Sequence, residues 1–334
     1  MNKKIIYLPF ILLLFFSCRQ NQPRFEKVLG TVCYVNLFGD GKDSYYNEIF
    51  SRLRLIDDEF NLNKNESELS KVNKNAFYRE ISLSEDLFTV ISMAQEISAL
   101  TEGAFDATIE PLVSLWNINN TPHLAREEEI ADLLPLVNFK NINLNPEKKS
   151  LTFKKRGMKI TLGGIAKGFA ADEVIKICKK NHIKKAVIDL GGNVYVYGKK
   201  SSLSLWRVGI KNPQAKQSLP ILKLNIDENS VVTSGIYERF FECGGQTYHH
   251  ILSPENGFPV NNDLASVSII SKNSMLCDAL STSFFVMGKD KSLNMLPFLK
   301  KKFNVDIAAV FIDKDNSLTF SEDFPYSYEI TGKN

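Results

Sequence analysis

Residues 159–174 read KITLGGIAKGFAADEV, and this stretch limits the fold more than any other. A short apolar strand pattern at Ile160 and Leu162 runs into Gly163-Gly164. A helical run follows, with Ala166, Ala170, Val174 and Ile177 three and four residues apart. A strand–glycine–helix junction predicts free backbone N–H groups at a helix N-terminus, where an anion is favoured. Glycine lets that backbone approach a phosphate closely, and Lys167 adds a positive charge in the first helical turn. The pattern is neither G-x-G-x-x-G nor G-x-x-x-x-G-K-[ST], so neither of those nucleotide-binding folds follows from it. A tight turn feeding a buried helix is the plainer reading of the same residues.

Around the junction, strands come in runs and helices in separate blocks. A first strand is predicted over 28–37, interrupted at Gly30-Thr31. A helix over 45–60 has Ile49, Leu53, Ile56 and Phe60 on one stripe, and a polar loop over 61–75 follows. Ser84 caps a second helix with Leu87, Ile91, Ala94 and Ile97 on one face and Gly103 beyond its end. Residues 105–116 form a tight apolar segment headed by Asp106, and 125–136 a charged surface helix. Strands are predicted at 186–192 and 194–198 around a second glycine pair, then at 205–210, 220–226, 230–234, 247–252 and 265–271. A helix ending near Gly288, another over 291–302 and strands at 306–312 and 316–321 complete the pattern. This order predicts an α+β chain with mixed or antiparallel sheets and one domain of two lobes over 28–330, not βαβ alternation.

The N-terminus reads as a targeting segment. Lys3-Lys4 precede the twelve-residue apolar run 5–16, too short to span a bilayer, and Ser17-Cys18 follow. Residues 1–17 are expected to be a lipoprotein signal peptide, Cys18 the lipidated residue and 18–27 a lipidated linker. The folded part would then lie on the periplasmic side of a bacterial membrane. An uncleaved signal anchor is the other reading. Cys33, Cys178, Cys243 and Cys277 show no metal-ligand spacing, and Cys33 and Cys178 read as buried apolar residues. A net charge of +3 with interspersed signs argues against nucleic acid as a partner.

Four places could carry chemistry. The first is the junction at Gly163 to Lys167. The second is Asp278 with Thr282, whose spacing puts a carboxylate and a hydroxyl on one helix face, a hard-oxygen pair suited to Mg²⁺. An acid favoured by the helix macrodipole alone is the alternative. The third is 248–259, YHHILSPENGFP. His249 and His250 face opposite ways in a strand, so one of them enters a site, where it could serve as a general base. The fourth is 231–241, where Thr233-Ser234-Gly235 could turn donors inward and Arg239 could meet a phosphate. G-x-S-x-G is absent, and no histidine–cysteine cluster suggests zinc.

The chain resembles the ApbE-like FAD:protein FMN transferases, periplasmic flavin-trafficking lipoproteins. The blocks that carry the resemblance are LGT (29–31), NESELSKVN (65–73), TEGAFDATIEPLVSLW (101–116), TLGGIAKGFAAD (161–172) and IDLGGNVYVYG (188–198). They continue with WRVGIKNP (206–213), TSGIYERFF (233–241), HILSPENGFPV (250–260) and CDALSTSFFVMG (277–288). The resemblance implies FAD in a cleft and Mg²⁺ at its pyrophosphate, held by Asp278, Thr282 and the backbone carbonyl of Gly164. Leu29, Asn63, Ala104, Phe105, Asp106, Thr161, Lys167 and Ile251 would line the flavin nucleotide. The implied reaction moves FMN from FAD to a Thr or Ser hydroxyl of acceptor flavoproteins, in membrane redox complexes or among exported proteins. It leaves a phosphoester and releases AMP, with His250 as the base.

Two positions depart from the family pattern. Asn63 stands where many members have an aromatic that covers the flavin, and Thr161 where an Asp is common. The first departure motivates a second expectation, that FAD hydrolysis to FMN and AMP competes with transfer. A non-catalytic FAD-binding lipoprotein is a third reading, against which the Asp278/Thr282 pair argues.

Overall fold

The structure, a computed structural model, describes residues 22–39, 41–215 and 219–331. The signal segment and Cys18 lie outside the described residues. Strands β1 (Arg24–Val28) and β2 (Thr31–Leu37) pair antiparallel with Val28 opposite Thr31. The single strand expected over 28–37 is thus the second arm of a hairpin. Leu29 (φ 56) and Gly30 (φ 69) form a left-handed two-residue turn that matches the twist of the flanking strands.

Helix α1 (Asp43–Phe60) buries the expected stripe. Helix α2 (Glu68–Asn75) stands where a loop is expected. Ser67 caps it by accepting the Ser70 amide, and only Leu69 and Val72 are buried, too few in eight residues for the apolar period to show. After the short β3 (Ile81–Ser82), α3 (Glu85–Leu100) begins at its Ser84 cap as expected. A 3₁₀ turn, Ala107–Ile109, leads into α4 (Glu110–Trp116), and α5 (Glu127–Leu133) is the charged surface helix. Strands β4 (Ile142–Asn145) and β5 (Ser150–Phe153) form a small sheet with β3 that the sequence pattern does not signal.

The long helix after the glycine pair is α6 (Ala166–Lys180). Strands β6 (Ala186–Leu190), β7 (Asn193–Tyr197), β8 (Trp206–Lys211), β9 (Pro220–Ile226) and β10 (Asn229–Gly235) follow close to expectation. A hairpin of β11 (Phe240–Cys243) and β12 (Gln246–His249) precedes β13 (Leu264–Ser271). The predicted strand over 247–252 therefore ends at His249. Helices α7 (Ser274–Met287) and α8 (Lys289–Phe303) precede β14 (Ala308–Asp313), β15 (Leu318–Phe320) and the unsignalled β16 (Ser327–Ile330).

Eight strands join in the order β1-β2-β6-β7-β10-β13-β14-β15, every neighbouring pair antiparallel. The alternation of a strand sorts its side chains to two cores. Val232 and Ile269 point into the core shared with α1, α3, α6 and α7, while Val231 and Ile270 point into a second core under the sheet β16-β9-β8. The α+β reading holds, with antiparallel rather than mixed pairing. Cys33, Cys178 and Cys277 are buried thiols, and Cys243 is an exposed one. A third, smaller cluster packs the β11–β12 hairpin on α4, where Trp116 stacks on Tyr248 with ring centroids 5.6 Å apart.

Candidate active site

The strand expected at Ile160 and Leu162 is an extended segment outside any sheet. The side chain of Asn73 brackets Ile160 instead, accepting its amide and donating to its carbonyl, each at 2.8 Å. Thr161 donates its amide to the Ala107 carbonyl at 2.8 Å, which ties the junction to the segment carrying Asp106. Leu162 then closes the turn by accepting the amides of Ile165 and Ala166. At Gly164 a Cβ would stand 3.1 Å from Thr282 Oγ1 and 3.2 Å from the Phe105 ring, so any larger residue would push one of these side chains aside where the turn closes on α7.

Helix α7 starts at Asn273, whose side chain accepts the Leu276 amide. Four residues past Ser274 comes Asp278, only 4% exposed, and one turn later Thr282. Asp278 Oδ2 accepts the Gly168 amide at 2.9 Å, and the Lys167 amide also bonds this carboxylate. This corrects the expectation of free amides at the start of α6: the anion at that helix terminus is the protein's own Asp278. Burial pushes the Asp278 carboxyl up, against the Lys167 charge and the two amides. Ser234 on β10 joins the group, with its Oγ 2.8 Å from Ser281 Oγ and 3.3 Å from Thr282 Oγ1.

The two histidines separate, His249 as the last residue of β12 and His250 in the bend that follows it. His249 is buried; its Nε2 donates to the Val260 carbonyl at 2.9 Å, and its Nδ1 accepts the Ile251 amide. His250 faces the cleft with Nδ1 3.2 Å from the Arg239 carbonyl. A carbonyl only accepts, so Nδ1 carries the proton and Nε2 keeps its lone pair. Burial and then the Arg239 charge push the ring down to about 4, so it is neutral at pH 7.

These residues surround one cleft with two chambers. The inner chamber, about 430 Å³, is lined by Ala104, Phe105, Asp106, Gly164, Ile251 and Thr282, and also by Asp278 and His250. The outer chamber, about 770 Å³, has Leu29, Asn63 and Phe240 in its walls. Thr161, Lys167 and Arg239 border both. Every site residue named from the sequence and lying among the described residues thus reaches this cleft. Asp106 engages both oxygens locally. Oδ1 accepts the amide and hydroxyl of Thr108, and Oδ2 accepts the Phe139 amide at 2.8 Å, so it braces the wall it belongs to.

Among the acids that the sequence does not single out, Glu110 and Asp172 matter most here. Glu110 stands in the outer chamber, nearly buried, accepting from Ser114 Oγ at 2.7 Å, and burial raises its carboxyl. Its signal is a lone charge in the apolar segment 105–116. Asp172 on α6 reaches α7, about a hundred residues away in sequence, and nothing local announces it. Among the described residues no group of three or more His, Cys, Asp or Glu side chains could hold a metal. A cation here would rest on one carboxylate, a hydroxyl and a carbonyl.

Compared with known proteins, residues 29–307 match the ApbE family. A FAD:protein FMN transferase of Klebsiella pneumoniae is 34% identical over 295 residues, covering 88% of this chain and 90% of that protein. One from Treponema pallidum is 31% identical over 310 residues, covering 87% and 84%. The crystal structure of an ApbE protein from Thermotoga maritima superposes with a TM-score of 0.81 at 28% identity, over 91% of this chain and 97% of that one. The flavin transferase ApbE of Vibrio cholerae shares the fold, with a TM-score of 0.79 at 23% identity over 91% and 97%. A chain matched over this length and built around this cleft belongs to the ApbE family.

Proposed function

We propose that this chain transfers FMN from FAD to a Thr or Ser hydroxyl of an acceptor flavoprotein. The hydroxyl oxygen bonds to the FMN phosphorus, the bond to the bridging pyrophosphate oxygen breaks, and AMP leaves. The hydroxyl proton passes to His250 Nε2. The observation that carries this reading is the meeting of Asp278, Thr282, Lys167 and a neutral His250 in one half-enclosed chamber. Lys167 supplies positive charge where pyrophosphate charge develops, and Arg239 supplies more at the border of the two chambers.

The donor set suits Mg²⁺. Asp278 is a buried carboxylate one helical turn from the Thr282 hydroxyl, and the backbone of Gly164 packs against Thr282, so its carbonyl is the candidate for a third hard oxygen. When bound, Mg²⁺ would neutralise pyrophosphate charge. We also infer that a lipid on Cys18 holds the chain at the periplasmic side of a bacterial membrane. Support comes from Lys3-Lys4, the apolar run 5–16 and Ser17-Cys18. Radiolabelled palmitate should enter the wild-type chain and not Cys18→Ser; equal labelling of both would remove the anchor.

One observation favours a second activity. Asn63 is exposed on the outer-chamber wall, where its amide donates to Asn61 Oδ1, and the neighbouring ring in that wall, Phe60, is almost wholly buried. Hydrolysis of FAD to FMN and AMP would then compete with transfer. The deciding experiment incubates the chain with FAD and Mg²⁺, with and without a Thr-bearing acceptor domain, against Asp278→Ala. AMP released only with acceptor, together with covalent FMN, is the transferase outcome. Equal AMP without acceptor makes hydrolysis the main activity, and no AMP in either arm leaves a flavin-binding protein.

A further inference from the structure

Helices α6 and α7 exchange carboxylates at their N-termini. Asp278 of α7 accepts the Gly168 amide of α6 at 2.9 Å. In return, Asp172 of α6 accepts the Ser274 amide on Oδ1 at 2.9 Å and the Met275 amide on Oδ2 at 2.8 Å. In each helix the donating residue and the acid are four apart, Gly168 with Asp172 and Ser274 with Asp278, so the pair has an approximate two-fold relation. Each carboxylate meets the positive end of the other helix's dipole.

We propose that Asp172 is a positioning residue for Asp278: by fixing the first turn of α7 on α6, it holds the Asp278 carboxylate at the cleft in register for a divalent cation. The inference rests on the reading that Asp278 binds such a cation. Asp172 itself lines neither chamber, so its effect passes through α7. The first turn of α7 has little freedom once it is in place. Ser274 Oγ donates to Asn193 Oδ1 at 2.9 Å and lies 2.8 Å from Ser230 Oγ, which ties it to the sheet. Asp172 grips the same turn from the opposite helix with both oxygens, a bidentate contact that sets angle as well as distance. Asp278 is one turn further on, and one of its oxygens is already bonded to α6. A shift of that turn would therefore move the only carboxylate of the proposed cation site. Residues that orient ligands from behind commonly change metal affinity by tenfold or more when replaced.

Asp172→Asn keeps the size and one acceptor oxygen, but turns an N–H₂ toward one of the two amides. The test is direct Mn²⁺ binding by electron paramagnetic resonance to the purified chain, with wild type, Asp172→Asn and Asp278→Ala compared. The expected result is a loss of Mn²⁺ affinity on the order of tenfold in Asp172→Asn, with a wild-type circular dichroism spectrum. AMP release should also recover at high Mg²⁺. Wild-type Mn²⁺ affinity in Asp172→Asn overturns the proposal. Equal binding by wild type and Asp278→Ala would instead remove the cation reading beneath it. Should Asp172→Asn fail to fold, Asp172→Glu decides, since it keeps both oxygens and the charge on a longer arm. Weakened Mn²⁺ binding there supports positioning, and unchanged binding refutes it.

Discussion

The backbone of Gly168 on α6 lies against that of Ser274 on α7, so near that a Cβ at Gly168 would stand 2.3 Å from the Ser274 carbonyl oxygen. No rotamer relieves a clash with backbone, so the helices must part or the fold must strain. Gly168→Ala is expected to lower stability by about 3 kcal/mol, the upper end for overpacking. Urea unfolding reads it. A variant as stable as wild type would mean that the helices cross less tightly than this.

Neutral His250 makes a pH prediction with a definite sign. The ring sits at about 4, below the ordinary histidine value. Its basic form therefore persists from neutral pH down to about 4, and its acid limb lies there instead of near 6.5. His250→Gln should lower kcat by about 10²–10⁴, the usual contribution of a general base. The profile of AMP release against pH, for both forms, checks it. A limb near 6.5 that vanishes in His250→Gln would show a solvated ring and refute the buried-base geometry.

Asp172 gives a stability prediction of the opposite kind. Burial pushes its carboxyl up to about 6, whereas an unfolded aspartate titrates near 3.8. Between those values the folded chain holds a proton that the unfolded chain has released. Its contribution to stability is thus largest at low pH and declines as pH rises from about 4 to about 6, by up to about 3 kcal/mol. Other buried acids also titrate, so the difference between wild type and Asp172→Asn is the informative quantity. That difference should change across this window and be flat above it. A constant difference would place the Asp172 pKa near its unfolded value.

What the sequence revealed and what it hid follow from the range of each interaction. Asp278 and Thr282 share a helix, and a four-residue spacing is enough to put them together. Gly164 and Lys167 belong to a local turn. The hairpin at Leu29-Gly30 was missed because a two-residue left-handed turn looks like a break within one strand. The free helix terminus expected at Gly163 to Lys167 was wrong for a different reason. Its partner, Asp278, lies 110 residues from Gly168, and local rules for helix ends cannot see it. Asp172 is the mirror case. Helix α2 was hidden in a polar run because two buried side chains do not make a period.

The outer chamber takes its exposed ring from β11 and not from the loop that holds Asn63. Asn63 offers none, but Phe240 at the start of β11 lines the same chamber and is 47% exposed, a large apolar face left open to solvent. If FAD reaches this chamber, Phe240 is the exposed ring able to lie against a planar ring system, since Phe60 in the same lining is buried. Phe240→Ala should weaken FAD binding by about 1 kcal/mol, roughly fivefold in Kd, the scale of one aromatic contact. Asn63→Tyr should strengthen it to a similar degree and lower the AMP released without acceptor, because a second ring would help exclude water from the phosphates. Quenching of flavin fluorescence gives the affinities, and chromatography gives the AMP. If Phe240→Ala binds FAD as wild type does while Asn63→Tyr binds it more tightly, the flavin lies on the α1 side of the chamber and Phe240 is exposed for another reason.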